Sequence, residues 1–118
     1  MSSRELTAEV EKLQHESFSY FLHETNPVSG LVVDKTAANW PASVAATGLA
    51  LAAYPVAVER GFMPRAAAAG RMLTTLRFFW NSPQGPEPDA TGYQGFYCHF
   101  LDMRTGRRWL KIPDKSFD

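Results

Sequence analysis

The segment from Gly92 to Arg107 concentrates residue types that can bind a polar ligand. It contains four aromatic side chains, three glycines, His99 and Asp102, and it follows a proline-rich loop. Aromatic rings offer an apolar face, while the histidine and the tyrosine hydroxyls offer hydrogen bonds. Such a mixture of polar, aromatic and glycine residues is not typical of a hydrophobic core. It predicts a polar pocket lined by aromatic side chains.

Pyranose rings suit such a pocket, because they have apolar C–H faces and hydroxyl edges. We expect His99 to hydrogen-bond sugar hydroxyls, with Tyr97, Tyr93 and Trp40 as stacking platforms. Two alternatives remain open. His99 could be a structural histidine within a hairpin, and Trp40, which directly precedes Pro41, could pack at a helix entry.

Asp102 is the acidic residue of this segment and a further candidate for substrate binding. It directly precedes Met103-Arg104-Thr105-Gly106, so a turn-forming role is the alternative. Cys98 is next to His99, but neighbouring side chains on a strand point in opposite directions. A thiol nucleophile is therefore not expected here.

The composition excludes several functional classes. Twelve basic and twelve acidic residues balance among 118, which argues against binding to nucleic acid or to an anionic membrane. Cys98 is the only cysteine, so neither an internal disulfide nor a cysteine-based zinc cluster is expected, and no cofactor or metal site is indicated. Gly48 and Pro55 interrupt the longest apolar run, and the N-terminus lacks a signal-peptide pattern. The sequence assigns no compartment.

Apolar periodicity predicts three helices, over residues 5–25, 41–60 and 64–80. Ser2 and Glu5 fit a capping box at the start of the first helix, Pro41 suits the first position of the second, and Gly61 is expected to end the second helix. A loop is expected over 81–94 and a β-hairpin over about 95–112. The expected fold is mainly α.

The apolar faces of these helices look too wide to cover one another. The second helix carries small side chains and is expected to be a buried inner helix. The third helix has a stripe that we interpret as core, formed by Ala69, Met72, Leu73, Leu76, Phe79 and Trp80. We therefore expect an incomplete domain, part of a larger helical array, that self-associates or binds a hydrophobic dye through uncovered faces.

Four segments, in order along the chain, resemble the glycoamylase-like domain family. They are Pro27–Val32, Ser43–Leu51, Pro55–Gly61 and Gly95–Asp102 followed by Thr105-Gly106. The resemblance implies the N-terminal part of an (α/α)6 barrel. It also implies a bacterial glycoside hydrolase similar to inverting endo-β-1,2-glucanases, which are often periplasmic or secreted.

An inverting glycosidase needs a general acid and a general base, with carboxyl groups roughly 6.5–9.5 Å apart. The resemblance implies that Asp118 corresponds to a family aspartate and is the catalytic candidate, while the general-acid glutamate falls beyond residue 118. The chain alone is then expected to be inactive toward its β-linked glucan. The alternative is a non-catalytic helical module that binds glycans or another protein.

Overall fold

A computed structural model describes residues 1–110 of the chain. Its helices are α1 (Ser3–His23), α2 (Val44–Glu59) and α3 (Arg65–Asn81), and its two-residue strands are β1 (Ala42–Ser43), β2 (Gly92–Tyr93), β3 (Phe96–Tyr97) and β4 (Phe100–Leu101). The predicted mainly α fold, with three helices and a short hairpin, is confirmed. None of these described helices is long and apolar enough to cross a membrane.

Helix α1 begins at the predicted capping box. The Ser2 hydroxyl accepts a hydrogen bond from the Glu5 amide at 3.1 Å, and the Glu5 carboxylate accepts one from the Ser2 amide at 2.9 Å. Among the described residues, the C-terminal half of the helix packs on the rest of the fold, and Phe18 is buried there. Leu6 and Leu13, in the N-terminal half, remain 56% and 63% exposed.

Helix α2 begins three residues later than expected. Pro41 and Ala42 are buried in extended backbone, and the Ser43 hydroxyl caps the helix by accepting from the Ala46 amide at 3.2 Å. The helix continues past its internal proline and ends at the predicted glycine. Gly61 adopts a φ of +73°, which allows its amide and that of the following residue to satisfy the last carbonyls.

A ladder of short antiparallel pairings joins the segments at one end of the helices. The pairs are Thr25 with Val32, Val33 with Ala42, Ala42 with Leu101, and Leu101 with Arg108. Leu31, Ala42 and Leu101 are fully buried along it and form one hydrophobic cluster. Its pairing of Ala42 with Leu101, 59 positions apart in sequence, attaches the region after α3 to the start of α2.

A second hydrophobic cluster lies among the helices. Phe18 of α1 packs edge-on against Tyr54 of α2, with ring centroids 6.1 Å apart, and Ala68 of α3 joins them. Tyr54 is 1% exposed. Burial of large side chains such as these contributes about 1.5–3 kcal/mol each, so this cluster is what holds α1 onto α2.

Within residues 1–110, the interpretation of the third helix's apolar stripe as core is wrong for four of its six residues, since Ala69, Leu73, Leu76 and Trp80 are exposed. The α3 residues that are buried are Ala68 and Thr75, whereas Leu73, Leu76 and Trp80 are 44%, 53% and 86% exposed. Helix α3 packs mainly against α2, while Met72 and Phe79 of the stripe are partly buried against the two clusters and Phe79 also contacts Tyr97 of β3. Periodicity reveals an apolar face but not which element covers it.

The hairpin lies earlier in the chain than expected. Gly92–Tyr93 pairs with Phe96–Tyr97, and the two turn residues, Gln94 and Gly95, have φ values of 51° and 88°. Positive φ at both central residues is what a tight type I′ hairpin turn requires. The later strand, Phe100–Leu101, instead pairs with Ala42–Ser43, although Arg108 does return beside Leu101. The expected arm at residues 111–112 lies outside the described residues.

Candidate functional site

The tight hairpin presents an aromatic surface to solvent. The hairpin surface, as the term is used here, consists of Tyr93 and Phe96 on one face of the hairpin and Tyr97 on the opposite face, and these residues are 53%, 81% and 39% exposed. The Gln84 side chain accepts a hydrogen bond from the Gly95 amide at 3.0 Å and so holds the turn in place. Gly92 is required at its position, since a Cβ there would overlap the carbonyl oxygen of Phe96. The aromatic rings are thus carried by a defined backbone.

Tyr97 connects the hairpin surface to the end of α3. Its hydroxyl donates a hydrogen bond to the Phe79 carbonyl at 3.2 Å, and the two rings meet at a centroid distance of 4.7 Å. The same carbonyl, at the C-terminal end of α3, also accepts from the Ser82 hydroxyl at 2.7 Å and from the Ser82 amide at 3.3 Å. Tyr97 is consequently a positioned side chain that remains partly exposed to a ligand.

His99 follows the hairpin and lies at the start of α2. Its backbone carbonyl accepts a hydrogen bond from the Val44 amide at 3.0 Å. The imidazole stacks on the neighbouring Phe100 ring, with centroids 4.2 Å apart and an interplanar angle of 11°. The side chain is exposed. It is therefore accessible to a hydroxyl-bearing ligand while its ring plane is defined by Phe100.

Trp40 belongs to a cluster with two charged residues that sequence reasoning missed. The indole N–H donates to the Asp34 carboxylate at 3.2 Å, and the Lys35 ammonium lies 4.0 Å from the ring centroid. This cation–π contact covers one face of the indole. A sugar stacking on Trp40 would have to use the other face or displace Lys35. In the sequence, this cluster could have been found from the occurrence of Asp34, Lys35 and Trp40 shortly before Pro41.

Asp102 forms a turn, which is the alternative considered from the sequence. Its carboxylate accepts hydrogen bonds from the backbone amides of Arg104 at 2.8 Å and Thr105 at 3.1 Å. This pattern is a side-chain-mediated turn typical of aspartate. The predicted catalytic residue, Asp118, lies outside the described residues, and its role stays a prediction.

A long groove runs between α2 and α3 beside the hairpin. It has a volume of about 680 Å³ and is lined by Val44, Thr47, Gly48, Leu51, Leu76, Arg77, Phe79, Trp80 and Tyr97. The buried Thr47 hydroxyl is engaged, since it donates to the Ser43 carbonyl at 2.8 Å and accepts from the Val32 amide at 3.1 Å. Among these lining residues there is no carboxylate, so they offer neither a general acid nor a general base. The sequence had assigned the α3 side of this groove to the core.

Of the predicted binding residues, Tyr93, Tyr97 and His99 lie in or next to the hairpin, whereas Trp40 lies in a different loop. Tyr93 and Tyr97 belong to the same hairpin but lie on opposite faces of it, and His99 follows Tyr97 by two residues. Trp40 instead contacts Asp34 and Lys35. Across residues 1–110, no three histidine, cysteine or acidic side chains are grouped as a metal site would require.

Comparison with known structures identifies the architecture. The chain is similar to the crystal structure of a candidate glucoamylase from Bacteroides uniformis, with a TM-score of 0.70 and 30% sequence identity over 84% of this chain. The fold of the described residues corresponds to part of a glucoamylase-like helical barrel. The chain spans 23% of that protein's length. No protein-family model matches the chain, and neither does any curated protein.

Proposed function

We propose that this chain is the N-terminal portion of a β-glucan-active glycoside hydrolase of the inverting endo-β-1,2-glucanase type. The observation that carries the proposal is the structural similarity to a candidate glucoamylase over 84% of the chain. The aromatic hairpin supports it, since exposed rings on a defined backbone suit the apolar faces of pyranoses. The four sequence segments that resemble the glycoamylase-like domain family favour a β-1,2-linked glucan as substrate.

In this proposal the chain supplies part of the substrate cleft. Tyr97 stacks on a sugar ring and His99 hydrogen-bonds a hydroxyl, while Tyr93, on the opposite face of the hairpin, offers a separate stacking platform. Tyr97 is held against α3 by its bond to the Phe79 carbonyl, so little ordering of its ring is needed when a sugar binds. Trp40 contributes a further platform on its own loop, where Asp34 fixes the indole N–H.

In this proposal, the 118 residues alone do not hydrolyse the glucan. Inversion requires one carboxyl group to protonate the leaving oxygen and another to activate water across the ring. Near the hairpin, the Asp102 carboxylate is used by backbone amides, and the Asp89 carboxylate pairs with the Arg107 guanidinium at 3.2 Å. Asp118 is the proposed base, and its acid partner belongs to a further part of the enzyme.

Calorimetric titration of the chain with gluco-oligosaccharides tests the proposal. We expect binding of β-1,2-linked oligosaccharides in preference to β-1,3- and α-1,4-linked ones of the same length, and Tyr93→Ala should weaken it. Leu6→Ala, an exposed substitution on α1 away from the hairpin, is the matched control. Preferential binding of the α-1,4-linked oligosaccharides would indicate a starch-like glucan as the substrate. If none of the oligosaccharides bound, the proposal would be refuted.

A non-catalytic glycan-binding module is the second candidate function. It is favoured by the absence of carboxylates among the residues that line the groove between α2 and α3. Anomer-resolved NMR distinguishes the two functions when the chain is supplied with the remaining part of the barrel. Appearance of the inverted anomer supports the hydrolase, whereas binding without any turnover supports the module.

A further inference from the structure

A polar pocket lies between the turn that follows α1 and helix α3, with Tyr54 of α2 at its floor. Its volume is about 380 Å³, which is within the range of small-molecule sites. The described residues that line it are Thr25, Asn26, Pro27, Gly30, Tyr54, Ala67, Gly70, Arg71 and Thr74. None of these lining residues is acidic. The turn and the helix thus form two facing walls around a pocket without negative charge.

This pocket lies on the other side of α3 from the exposed apolar residues of that helix. Ala67 lines the pocket, and Leu76, nine residues later, lines the groove between α2 and α3. At 3.6 residues per turn this is about two and a half turns, so the two side chains point in opposite directions. The facing wall is fixed by a contact of its own, because the Asn26 side-chain amide donates to the Met103 carbonyl at 2.8 Å. The pocket is therefore formed by contacts within residues 1–110.

Tyr54 contributes a buried hydroxyl to this pocket. The residue is 1% exposed, and its ring packs among Phe18, Ala50 and Ala68 in the cluster between the helices. Within residues 1–110 the hydroxyl forms no hydrogen bond, and Tyr54 lines the pocket. A hydroxyl that is buried without a partner is destabilising. The position therefore favours an occupant that accepts a hydrogen bond.

Arg71 adds a positive charge to the same pocket. Its side chain is half-buried, and it forms no ion pair with a carboxylate of residues 1–110. The hydroxyls of Thr25 and Thr74 already donate to carbonyls of their own helices. The Arg71 guanidinium and the Tyr54 hydroxyl consequently remain as donors. A guanidinium presents parallel N–H groups that match the oxygens of a carboxylate or a phosphate.

The start of α3 gives one end of the pocket a further positive potential. Ala67 lies in the first turn of this helix, and that turn has neither a side-chain cap nor an acidic residue. The partial positive charge of a helix dipole is concentrated at such a first turn. This field has the same sign as the Arg71 charge and adds to it.

We propose that this pocket binds a small oxyanion, namely a phosphate or carboxylate group. The Arg71 guanidinium binds two of its oxygens, and the Tyr54 hydroxyl donates a further hydrogen bond. Gly70 leaves room for the ligand, since an added Cβ at that position would meet nothing within 4 Å. The site does not depend on the proposed glycan function, because none of the residues predicted to bind sugar lines it.

NMR titration of the isotope-labelled chain with sodium phosphate and with sodium acetate, at an ionic strength held constant with sodium chloride, tests this site. We expect saturable shifts of the Arg71 side-chain N–H signal and of the backbone amides of residues 70–74. Arg71→Met should weaken binding at least about tenfold, and Tyr54→Phe about threefold. Gly70→Leu should abolish binding, because it fills the pocket while the charge is retained.

Arg65→Met is the matched control for Arg71→Met. It removes the same charge from an exposed position on the same helix that does not line the pocket. Its affinity for the anion should stay within about twofold of the parent, because an exposed charge outside the pocket is screened by salt. Equal weakening by the two substitutions would overturn the inference, since it would indicate general charge attraction.

The remaining outcomes separate the ligands. Saturation by phosphate alone would assign a phosphate group, and saturation by acetate alone a carboxylate, and either supports the inference. Shifts that only rise linearly with both anions would contradict it. So would shifts at Arg71 that require β-1,2-gluco-oligosaccharide, which would make the pocket part of a glycan site. Tyr54→Phe should unfold at the same denaturant concentration as the parent, and a clear loss of stability would show that the hydroxyl is bonded within the fold instead.

Discussion

Gly30 lies directly against Thr75, so that a Cβ at position 30 would come within 2.9 Å of the Thr75 Cα. Gly30 also has a φ of +77°, a conformation that side chains disfavour. This contact packs the turn after α1 onto α3. We expect Gly30→Ala to lower the free energy of unfolding by about 2–5 kcal/mol, from backbone strain and overpacking together. Chemical denaturation measures the change.

Gly61→Ala is the matched control for this prediction. Gly61 has nearly the same φ, +73°, but an added Cβ there would meet nothing within 4 Å. Its cost should therefore be the backbone strain alone, about 1–2 kcal/mol. Equal effects of the two substitutions would show that the contact between Gly30 and Thr75 is not tight.

Thr47 joins α2 to the strand-like segment before it. Its hydroxyl accepts from the buried Val32 amide at 3.1 Å, and the residue is 1% exposed. Thr47→Val keeps the shape but leaves that amide unpaired, which should cost about 1–3 kcal/mol. Thr74→Val is the control, since the Thr74 hydroxyl bonds only back to the Gly70 carbonyl on the surface of α3. A loss no larger than that of the control would contradict the assigned role of Thr47.

Because of Tyr20, the free energy of unfolding should fall at alkaline pH. Burial raises the pKa of its phenol above the ordinary value, and the negative charges of Glu24 and Asp34 raise it further. The folded chain thus holds this proton more tightly than the unfolded chain does. Its contribution is fully present below pH about 10 and is lost as the pH rises through the folded pKa.

Denaturation curves recorded from neutral to alkaline pH measure the effect of Tyr20. The hydroxyl also donates to the Val33 carbonyl at 2.5 Å, so Tyr20→Phe should cost about 1 kcal/mol at neutral pH. The variant should lose less stability than the parent as the pH rises past 10. Parallel curves for the two proteins would disprove the assignment.

We expect the capping box at Ser2 to stabilise only the N-terminal end of α1. Ser2→Ala removes the acceptor for the Glu5 amide, at a typical cost of about 1 kcal/mol to the helix end. Because the N-terminal half of α1 does not pack on the other described residues, we expect reduced helicity by circular dichroism with little change in the denaturation midpoint at concentrations where the chain is monomeric. A large shift in the midpoint would mean that this half is coupled to the core.

The elements that local chemistry dictates were predictable. Ser2 with Glu5 marked the start of α1, and Gly61 marked the end of α2, because caps depend on residues within one turn of the helix end. The position of the hairpin was predicted incorrectly because Gln94-Gly95 was not recognised as a type I′ turn. Within the candidate site, the binding roles of Tyr93, Tyr97 and His99 stay predictions, whereas Asp34 and Lys35 were missed because their significance comes from their contacts with Trp40.

The sequence by itself determined three amphipathic or small-residue helices, their caps and an aromatic segment after the last of them. These features follow from periodicity and from short-range hydrogen bonding. Only the tertiary structure decided which side of each helix is covered, and it left Leu76 and Trp80 along an open groove. Only it showed that Ala42 pairs with Leu101, because the pairing of distant strands depends on contacts that local residue patterns do not record.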